Sequence, residues 1–331
     1  MRSLAIVGAT GAVGQEFCAV LRQRKLAVGS CRLLASQRSA GRTVESVHGP
    51  GVVEELTPES LAGIDLAFFS AGASVSREFA PLAVRAGAIV IDNSSAFRME
   101  PGVPLVVPEI NPQEIRRHRG IIANPNCSTI TMAVVLWPLH KLNPIRRIVV
   151  STYQAVSGAG ARALVELETQ TRAVLAGEPA RPEVFPVPCA FNVFSHNSAL
   201  GPDGYNLEEF KLICETRKIF GDESIRIAPT CMRVPVRRAH TESVSIEFAN
   251  PMNVEQAREA LAAAPGVKLV DDREQARFPT PLAATGQDDV LVGRIRQDPS
   301  VPEQRGLQLI CSGDQLRKGA ALNAVQIAEL L

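Results

Sequence analysis

Apolar and polar positions follow two different rhythms along the first 125 residues. Leu4 to Val7, Cys31 to Ala35, Leu66 to Ser70 and Ala88 to Asp92 are short, nearly continuous apolar runs, and Ile121 and Ile122 lead directly to Pro125. Runs of this length predict strands covered on both faces. Between them apolar residues recur at helical spacing, as at Val13, Phe17, Val20 and Leu21, and a further helix is expected around Arg77 to Ala86. Such alternation predicts a parallel sheet with a ligand at the carboxyl ends of its strands. After residue 127 the pattern changes. Residues 148–154 and 241–248 predict strands of an antiparallel sheet; in the second, Val244, Ile246 and Phe248 alternate with Ser243, Ser245 and Glu247. That spacing gives one buried and one polar face. Ala161 to Leu175 carries apolar residues at helical spacing, and the segment from Pro179 to Gly204, rich in proline and asparagine, is expected to be an ordered long loop. Lys318 to Leu331 predicts a closing helix with Leu322, Val325 and Ala328 on one face.

The first strand runs into GATGAVG, with Gly8, Gly11 and Gly14 three residues apart and a helical pattern behind them. Strand, glycine turn and helix at this spacing form a dinucleotide site. The glycines allow a tight turn and close backbone approach, and the helix N-terminus receives the pyrophosphate. Gly8, Thr10, Gly11, Ala12, Val13 and Gly14 are the expected contacts. G-x-x-G-x-x-G is a variant of the commoner G-x-G-x-x-G, so its place between strand and helix carries the inference. Arg2 and the apolar run imitate a signal peptide, but the glycines interrupt any continuous apolar core. The second strand ends in Ser36, Gln37, Arg38 and Ser39, with no acid before Glu45. An acid at this place would hold the ribose hydroxyls of NAD, whereas an arginine accommodates a 2′-phosphate. Ser36, Arg38 and Ser39 therefore predict NADP, against the plainer alternative of a solvated turn.

At 331 residues the chain is long enough for two domains. Thirty-five basic and 34 acidic residues leave a net charge of +1, which points to neither nucleic acid nor an anionic membrane surface as partner. No apolar run reaches the length of a membrane span. The seven cysteines are scattered, odd in number and without C-x-x-C pairing, which argues against a disulfide framework or a zinc site and for a reducing cytosol. No metal site is predicted.

Cys127 lies in ANPNCSTI, immediately before the apolar stretch Ile130 to Leu139 that predicts a helix. A cysteine at a helix start lies near unpaired N–H groups and the positive end of the dipole, which favours the nucleophilic thiolate. A buried, inert cysteine is the other reading that these residues allow.

GATGAVG, DNSSAFRM, VVPEIN, ANPNCSTI, STYQAVSGAG, EEFK, RVPVRRAH and LRKGAALNAVQIAE, in this order along the whole chain, resemble the aspartate-β-semialdehyde dehydrogenase family. The resemblance implies an α/β fold. A Rossmann-type, parallel-sheet NADP-binding domain (1–126 and 316–331) would be joined to a mixed α+β catalytic and dimerisation domain (127–315). It implies NADPH-dependent reductive dephosphorylation of L-4-aspartyl phosphate to L-aspartate 4-semialdehyde on the route to lysine, threonine and methionine. A cytoplasmic homodimer or homotetramer goes with that activity.

The resemblance also implies roles. Cys127 would attack the acyl phosphate, expel phosphate and carry the thioester that hydride then reduces. His240 would be the acid/base partner, and its ordinary near-neutral range suits proton transfer. Gln154 would orient the substrate, with Asn126 beside the nucleophile among the substrate contacts. Arg233 would grip the carboxylate through its planar fork, Arg98 and Lys211 would hold the phosphate, and Glu208 would meet the amino group. Glu208 and Lys211, three residues apart, would otherwise read as an ordinary surface ion pair. Asn93, Ser157, Gly158 and Gln315 would be further cofactor-side contacts. His48, His118, His140 and His196 belong to no motif and are expected to be surface or structural residues.

Two positions depart from the family pattern: Ala239 stands where glycine is common, and Gln315 where asparagine is usual. N-acetyl-glutamyl-phosphate reductase shares the chemistry, but EEFK and RVPVRRAH fit the aspartate family better. Glyceraldehyde-3-phosphate dehydrogenase has a different cysteine motif. A non-catalytic nucleotide-binding sensor or scaffold would be expected to lose Cys127 or His240, and both are present.

Overall fold

In the computed structural model, which describes residues 2–331, the first apolar run forms β1 (Arg2–Val7) at the centre of a seven-stranded sheet. The chain divides into two units, Met1–Asn126 with Gly319–Leu331, and Cys127–Lys318. In the first, β1 is flanked by β2 (Val28–Ala35), β3 (Thr43–Ser46), β4 (Gly49–Glu55), β5 (Leu66–Phe69), β6 (Ile89–Asp92) and β7 (Ile121–Ala123), in the order β3-β4-β2-β1-β5-β6-β7. All pairings are parallel except the edge pair β3–β4. β2 lies on one side of β1 and β5 on the other, so the strand order reverses at β1, where doubly wound sheets bind ligands.

Alternate residues of β1 serve two cores. Leu4 and Ile6 join Phe17 and Leu21 of α1 (Ala12–Arg24) and Val325 of the C-terminal helix α8 (Leu322–Glu329). Ala5 and Val7 join Phe69 and the alanines Ala80 and Ala83 of α2 (Ala73–Arg85). The Phe17 and Phe68 rings stack at 4.8 Å; truncating such a buried ring costs about 3–5 kcal/mol. A buried amide network also ties α8 to the strand ends. Asn323 donates through Nδ2 to Asn124 Oδ1 (2.7 Å) and Val106 O (2.9 Å), and Asn124 Nδ2 donates to Asn93 Oδ1 (2.7 Å). Several boundaries differ from the sequence pattern, among them the start of β2 at Val28 and those of two helices. α2 begins at Ala73, four residues before Arg77. The closing segment opens with a wide π-type turn, Arg317–Ala321, so only Leu322–Glu329 is α-helical; Gly319, a poor helix former, lies within that turn.

The second unit runs α3 (Cys127–Leu142), β8 (Ile145–Gln154), α4 (Ala161–Leu175), β9 (Phe194–Ser195), α5 (Leu207–Phe220), β10 (Arg226–Arg233), β11 (His240–Phe248), α6 (Val254–Ala262), β12 (Val267–Leu269), α7 (Pro281–Ala284), β13 (Val290–Gln297) and β14 (Gly306–Gly313). Its seven strands lie in the order β12-β13-β14-β11-β8-β10-β9. The sheet is mixed where the sequence pattern suggested antiparallel pairing. β11 is antiparallel to β8 and β14, but β10 runs parallel to β8. The reason lies in the connection: α4, the long loop and α5 separate β8 from β10, enough chain for a parallel crossover. Residues of β8 and β11 alternate strictly. Ile148, Val150, Thr152 and Gln154, with His240, Glu242, Val244 and Ile246, are buried on one face; Val149, Ser151 and Tyr153, with Thr241, Ser243 and Ser245, stay partly open on the other.

Candidate active site

Three strand ends of the second unit bring chemistry together. Gln154 ends β8 and Arg233 ends β10, and the two are register partners. His240 begins β11. Arg233 and His240 are 3% and 1% exposed. Gly158, in the turn after β8, fits against both: a Cβ there would lie 3.2 Å from His240 Cε1 and 3.3 Å from Arg233 Nη1. Only a glycine leaves these side chains undisturbed. One layer deeper, Cys231, Thr152, Glu242 and Cys311 stand side by side across four strands, and below them Pro229, Val150, Val244 and Leu309 form an apolar layer.

Hydrogen bonds hold each group. Gln154 Nε2 donates to Ser128 Oγ (2.5 Å) and to Glu208 Oε1 (3.1 Å), connecting the residue after Cys127 with α5. Lys211 Nζ donates to Glu208 Oε2 at 2.9 Å, so the ordinary ion pair exists and has Gln154 as a third member. Asn206 caps α5, accepting from the N–H groups of Glu208 and Glu209 in a capping box. Arg233 Nη1 donates to Ala155 O (2.8 Å), and its guanidinium carbon lies 5.7 Å from the centroid of the Phe185 ring. The Ala155 N–H donates to His240 Nδ1 at 3.0 Å. Of the nine buried side-chain polar atoms without a protein partner among the described residues, three belong to these strand-end residues: Gln154 Oε1, Arg233 Nε and His240 Nε2. Buried polar atoms are rarely left so, and such a cluster suits a polar ligand.

The electrostatics correct one expectation. Burial, reinforced by the Arg233 charge and opposed by Glu208, pushes His240 down to about 3, well below its ordinary near-neutral range. The ring is neutral before any ligand enters. Burial likewise pulls the Arg233 guanidinium down, with Glu208 and Cys127 opposing.

Cys127 is the first residue of α3 and partly exposed, and its carbonyl accepts from Thr131 Oγ1 at 3.0 Å. Of the other six cysteines, Cys31 and Cys214 are also partly exposed and the remaining four are buried. Burial raises Cys18 to about 11, Cys31 to about 12 and Cys189 to about 11, and pushes Cys214, Cys231 and Cys311 up as well.

Gln315 is committed within the protein. Its Oε1 accepts from the Ala239 N–H (2.7 Å) and its Nε2 donates to Ser157 Oγ. Ala239 has φ +71°, a left-handed conformation that costs a non-glycine residue about 1–2 kcal/mol. This accounts for glycine at that place in the family; here the Gln315 bond supports the alanine.

The dinucleotide features lie in the first unit. Gly8 has φ +90°, and a Cβ on it would lie 2.4 Å from Ser70 O; one on Gly14 would lie 2.3 Å from Gly8 O. α1 starts after Gly11 with no side-chain cap and no acid in its first turn, which leaves its N–H groups to an anion. Arg38 stands exposed in a short 3-10 turn after β2, which follows Ser36 and ends at Ser39. These residues fit a phosphate-bearing dinucleotide. Arg98 is buried in the same unit, donating to Asn124 O and Asn93 O, each at 2.9 Å.

His196, expected to be a surface or structural residue, is half-buried beside Arg233. Its Nε2 lies 2.7 Å from Arg233 Nη2. It sits in the long loop, which has no periodicity to signal it. The cap was more legible: Asn206 and Glu209 are spaced as a capping box.

Residues 3–118 match the family described as semialdehyde dehydrogenase, NAD binding domain, and residues 136–318 match semialdehyde dehydrogenase, dimerisation domain. An aspartate-semialdehyde dehydrogenase of Synechocystis sp. is 56% identical, covering 99% of this chain and 96% of its own length. The crystal structure of aspartate semialdehyde dehydrogenase II from Vibrio cholerae, complexed with ASA, is 45% identical with a TM-score of 0.96, covering 100% of this chain and 98% of that one. The Candida albicans enzyme, in a structure with NADP, is 26% identical with a TM-score of 0.77, covering 100% and 98%. The chain belongs to the aspartate-semialdehyde dehydrogenase family.

Proposed function

We propose that this protein reductively dephosphorylates L-4-aspartyl phosphate to L-aspartate 4-semialdehyde with NADPH, reversibly, in the cytoplasmic synthesis of lysine, threonine and methionine. The observation that carries the reading is that the residues at three strand ends, Gln154, Arg233 and His240, each keep a buried polar atom without a partner (Oε1, Nε and Nε2), in the unit that presents Cys127 at a helix start. The Cys127 sulfur attacks the acyl carbon, the carbon–oxygen bond to phosphate breaks, and a thioester remains. NADPH, when bound, supplies the hydride that reduces the thioester carbonyl. Collapse then releases the aldehyde and returns the thiolate. His240 serves that step from Nε2, which bears the proton of the neutral ring and faces the developing oxygen charge. Arg233 binds the substrate carboxylate through its Nε edge, and Glu208, steadied by Lys211 and Gln154, meets the amino group. Gln154 orients the acyl group beside Cys127, and Asn126 precedes it. Arg98 and Lys211 are the cations for phosphate.

Gly8, Thr10, Gly11, Ala12, Val13 and Gly14 cradle the cofactor pyrophosphate, and Ser36, Arg38 and Ser39 take its 2′-phosphate. Asn93, Ser157 and Gly158 complete the cofactor side; Gln315 acts there through Ser157. The partly open face of the second sheet, with Tyr153 40% exposed, is the surface for a second copy, giving a homodimer or a homotetramer built from it. The test is the reverse assay: aspartate semialdehyde and NADP⁺ should raise the nicotinamide absorbance only when phosphate is present. Phosphate-independent turnover, or none with any phosphorylating set, overturns the reading.

A further inference from the structure

β9 pairs with β10, placing Phe194 opposite Arg233, and His196 follows directly, its N–H donating to Cys231 O at 2.8 Å. This pins the imidazole beside the guanidinium, with Nε2 2.7 Å from Arg233 Nη2. A guanidinium has donors only, so Nε2 must accept and the ring proton must lie on Nδ1. Nδ1 lies 3.1 Å from Ser198 Oγ, which can take that proton as an acceptor. The Ser198 backbone N–H is also directed at Nδ1 as a donor, at 3.2 Å. The two donors compete for one lone pair, and the shorter, charge-assisted contact at Nε2 decides the tautomer. A proton on Nε2 would face only a cation.

The network continues in one direction. Ser198 Oγ donates to Asn206 Oδ1 at 3.3 Å and accepts from the Glu208 N–H at 3.1 Å. Arg233, His196, Ser198 and Asn206 thus form a donor-to-acceptor relay ending at the cap of α5. Burial keeps His196 neutral, lowering it to about 4, with the Arg233 and Lys211 charges adding and Glu208 opposing. Arg233 Nη1 is tied to Ala155 O and Nη2 to His196, so the buried Nε–H is left for a ligand.

We propose that His196 is a positioning residue: as a tautomer-fixed acceptor it sets the rotation of the Arg233 guanidinium, and so the alignment of that fork with the substrate carboxylate. The proposal rests on the reading of Arg233 as the carboxylate ligand.

The test compares His196→Leu, which removes the acceptor, with His196→Gln, whose amide oxygen can replace Nε2. Both are assayed with aspartate semialdehyde, phosphate and NADP⁺. His196→Leu should raise KM for aspartate semialdehyde about tenfold, the scale of one hydrogen bond to a charged group, and leave KM for NADP⁺ within about twofold. His196→Gln should return the first KM to within about threefold of wild type. Arg233→Lys combined with His196→Leu should be no worse than Arg233→Lys alone, because one acts through the other. If His196→Leu does not fold, Ser198→Ala takes its place, with an expected rise of about threefold. An unchanged KM in the folded Leu variant, or in Ser198→Ala where that replaces it, overturns the proposal. So does a Gln variant as impaired as Leu. If Arg233→Lys itself leaves KM unchanged, the assignment of Arg233 fails and the proposal with it. If Arg233→Lys raises KM while His196→Leu is silent, only the positioning role fails.

Discussion

The Ala155 N–H donates to Nδ1 of His240 at 3.0 Å, so the single proton of the neutral ring resides on Nε2. That nitrogen is buried and has no protein partner. The ring is therefore set as a donor toward a ligand oxygen, with its backbone bond fixing the tautomer.

His240→Asn keeps an acceptor near the Nδ1 position and removes the Nε2–H. It should lower kcat by roughly 10²–10⁴-fold with a modest change in KM. Since His240 is lowered to about 3, the free enzyme should show no acid limb in kcat/KM near pH 6.5 from this residue. A limb there in the wild type that disappears in His240→Asn contradicts the assignment.

Cys127→Ala should abolish turnover and leave NADP binding, read by fluorescence titration, nearly intact. Brief iodoacetamide treatment near neutral pH should label Cys127 ahead of the six cysteines whose thiols burial holds protonated. Peptide mapping that finds inactivation at another cysteine removes Cys127 from its role.

Arg38→Ala should raise KM for NADP⁺ by about tenfold or more, the loss of a charge-assisted phosphate contact, and change KM for NAD⁺ little. An unchanged ratio of the two catalytic efficiencies means that the 2′-phosphate is held elsewhere.

Glu242 is fully buried, and burial holds its carboxyl well above its usual range, with the Cys311 thiol donating to Oε2 at 3.7 Å. The folded protein therefore keeps a proton that the unfolded chain releases above about pH 4.5. Stability from this site is complete below the unfolded pKa and is lost as pH rises toward the folded one. Glu242→Gln keeps the shape without the titration. Its urea midpoint should exceed that of wild type by a margin that widens from pH 5 to pH 8, at most about 1.4 kcal/mol per pH unit. A margin independent of pH would show that Glu242 is ionised in the native state.

Five strands of the Rossmann-type sheet are legible because they are short apolar runs, and the glycine spacing reflects contacts that exclude a Cβ. The edge strands β3 (TVES) and β4 (GPGVVEE) are too polar and glycine-rich to be read in the same way. The mixed pairing of the second sheet is not legible, because strand direction depends on the path of α4, the long loop and α5. Cys127 and His240 stand out as candidates through their motifs, but the state of His240 does not. Its depressed range comes from burial and from Arg233, seven residues away in sequence and beside it in space. His196 was invisible for a related reason: its significance lies in a guanidinium on another strand, and nothing in its own segment announces that.

The first unit is discontinuous. Val325, Ile327 and Ala328 of α8 belong to the same core as Leu4, Phe17 and Leu21, and Asn323 completes the amide network at Asn124. On the ribosome, residues 1–126 emerge first but lack this closing helix until the last residues follow. Residues 127–318, an uninterrupted stretch, have all their strands available earlier. The nucleotide-binding half, first to be synthesised, is thus the last that can finish folding, and its open core is the interval in which a nascent chain most needs protection.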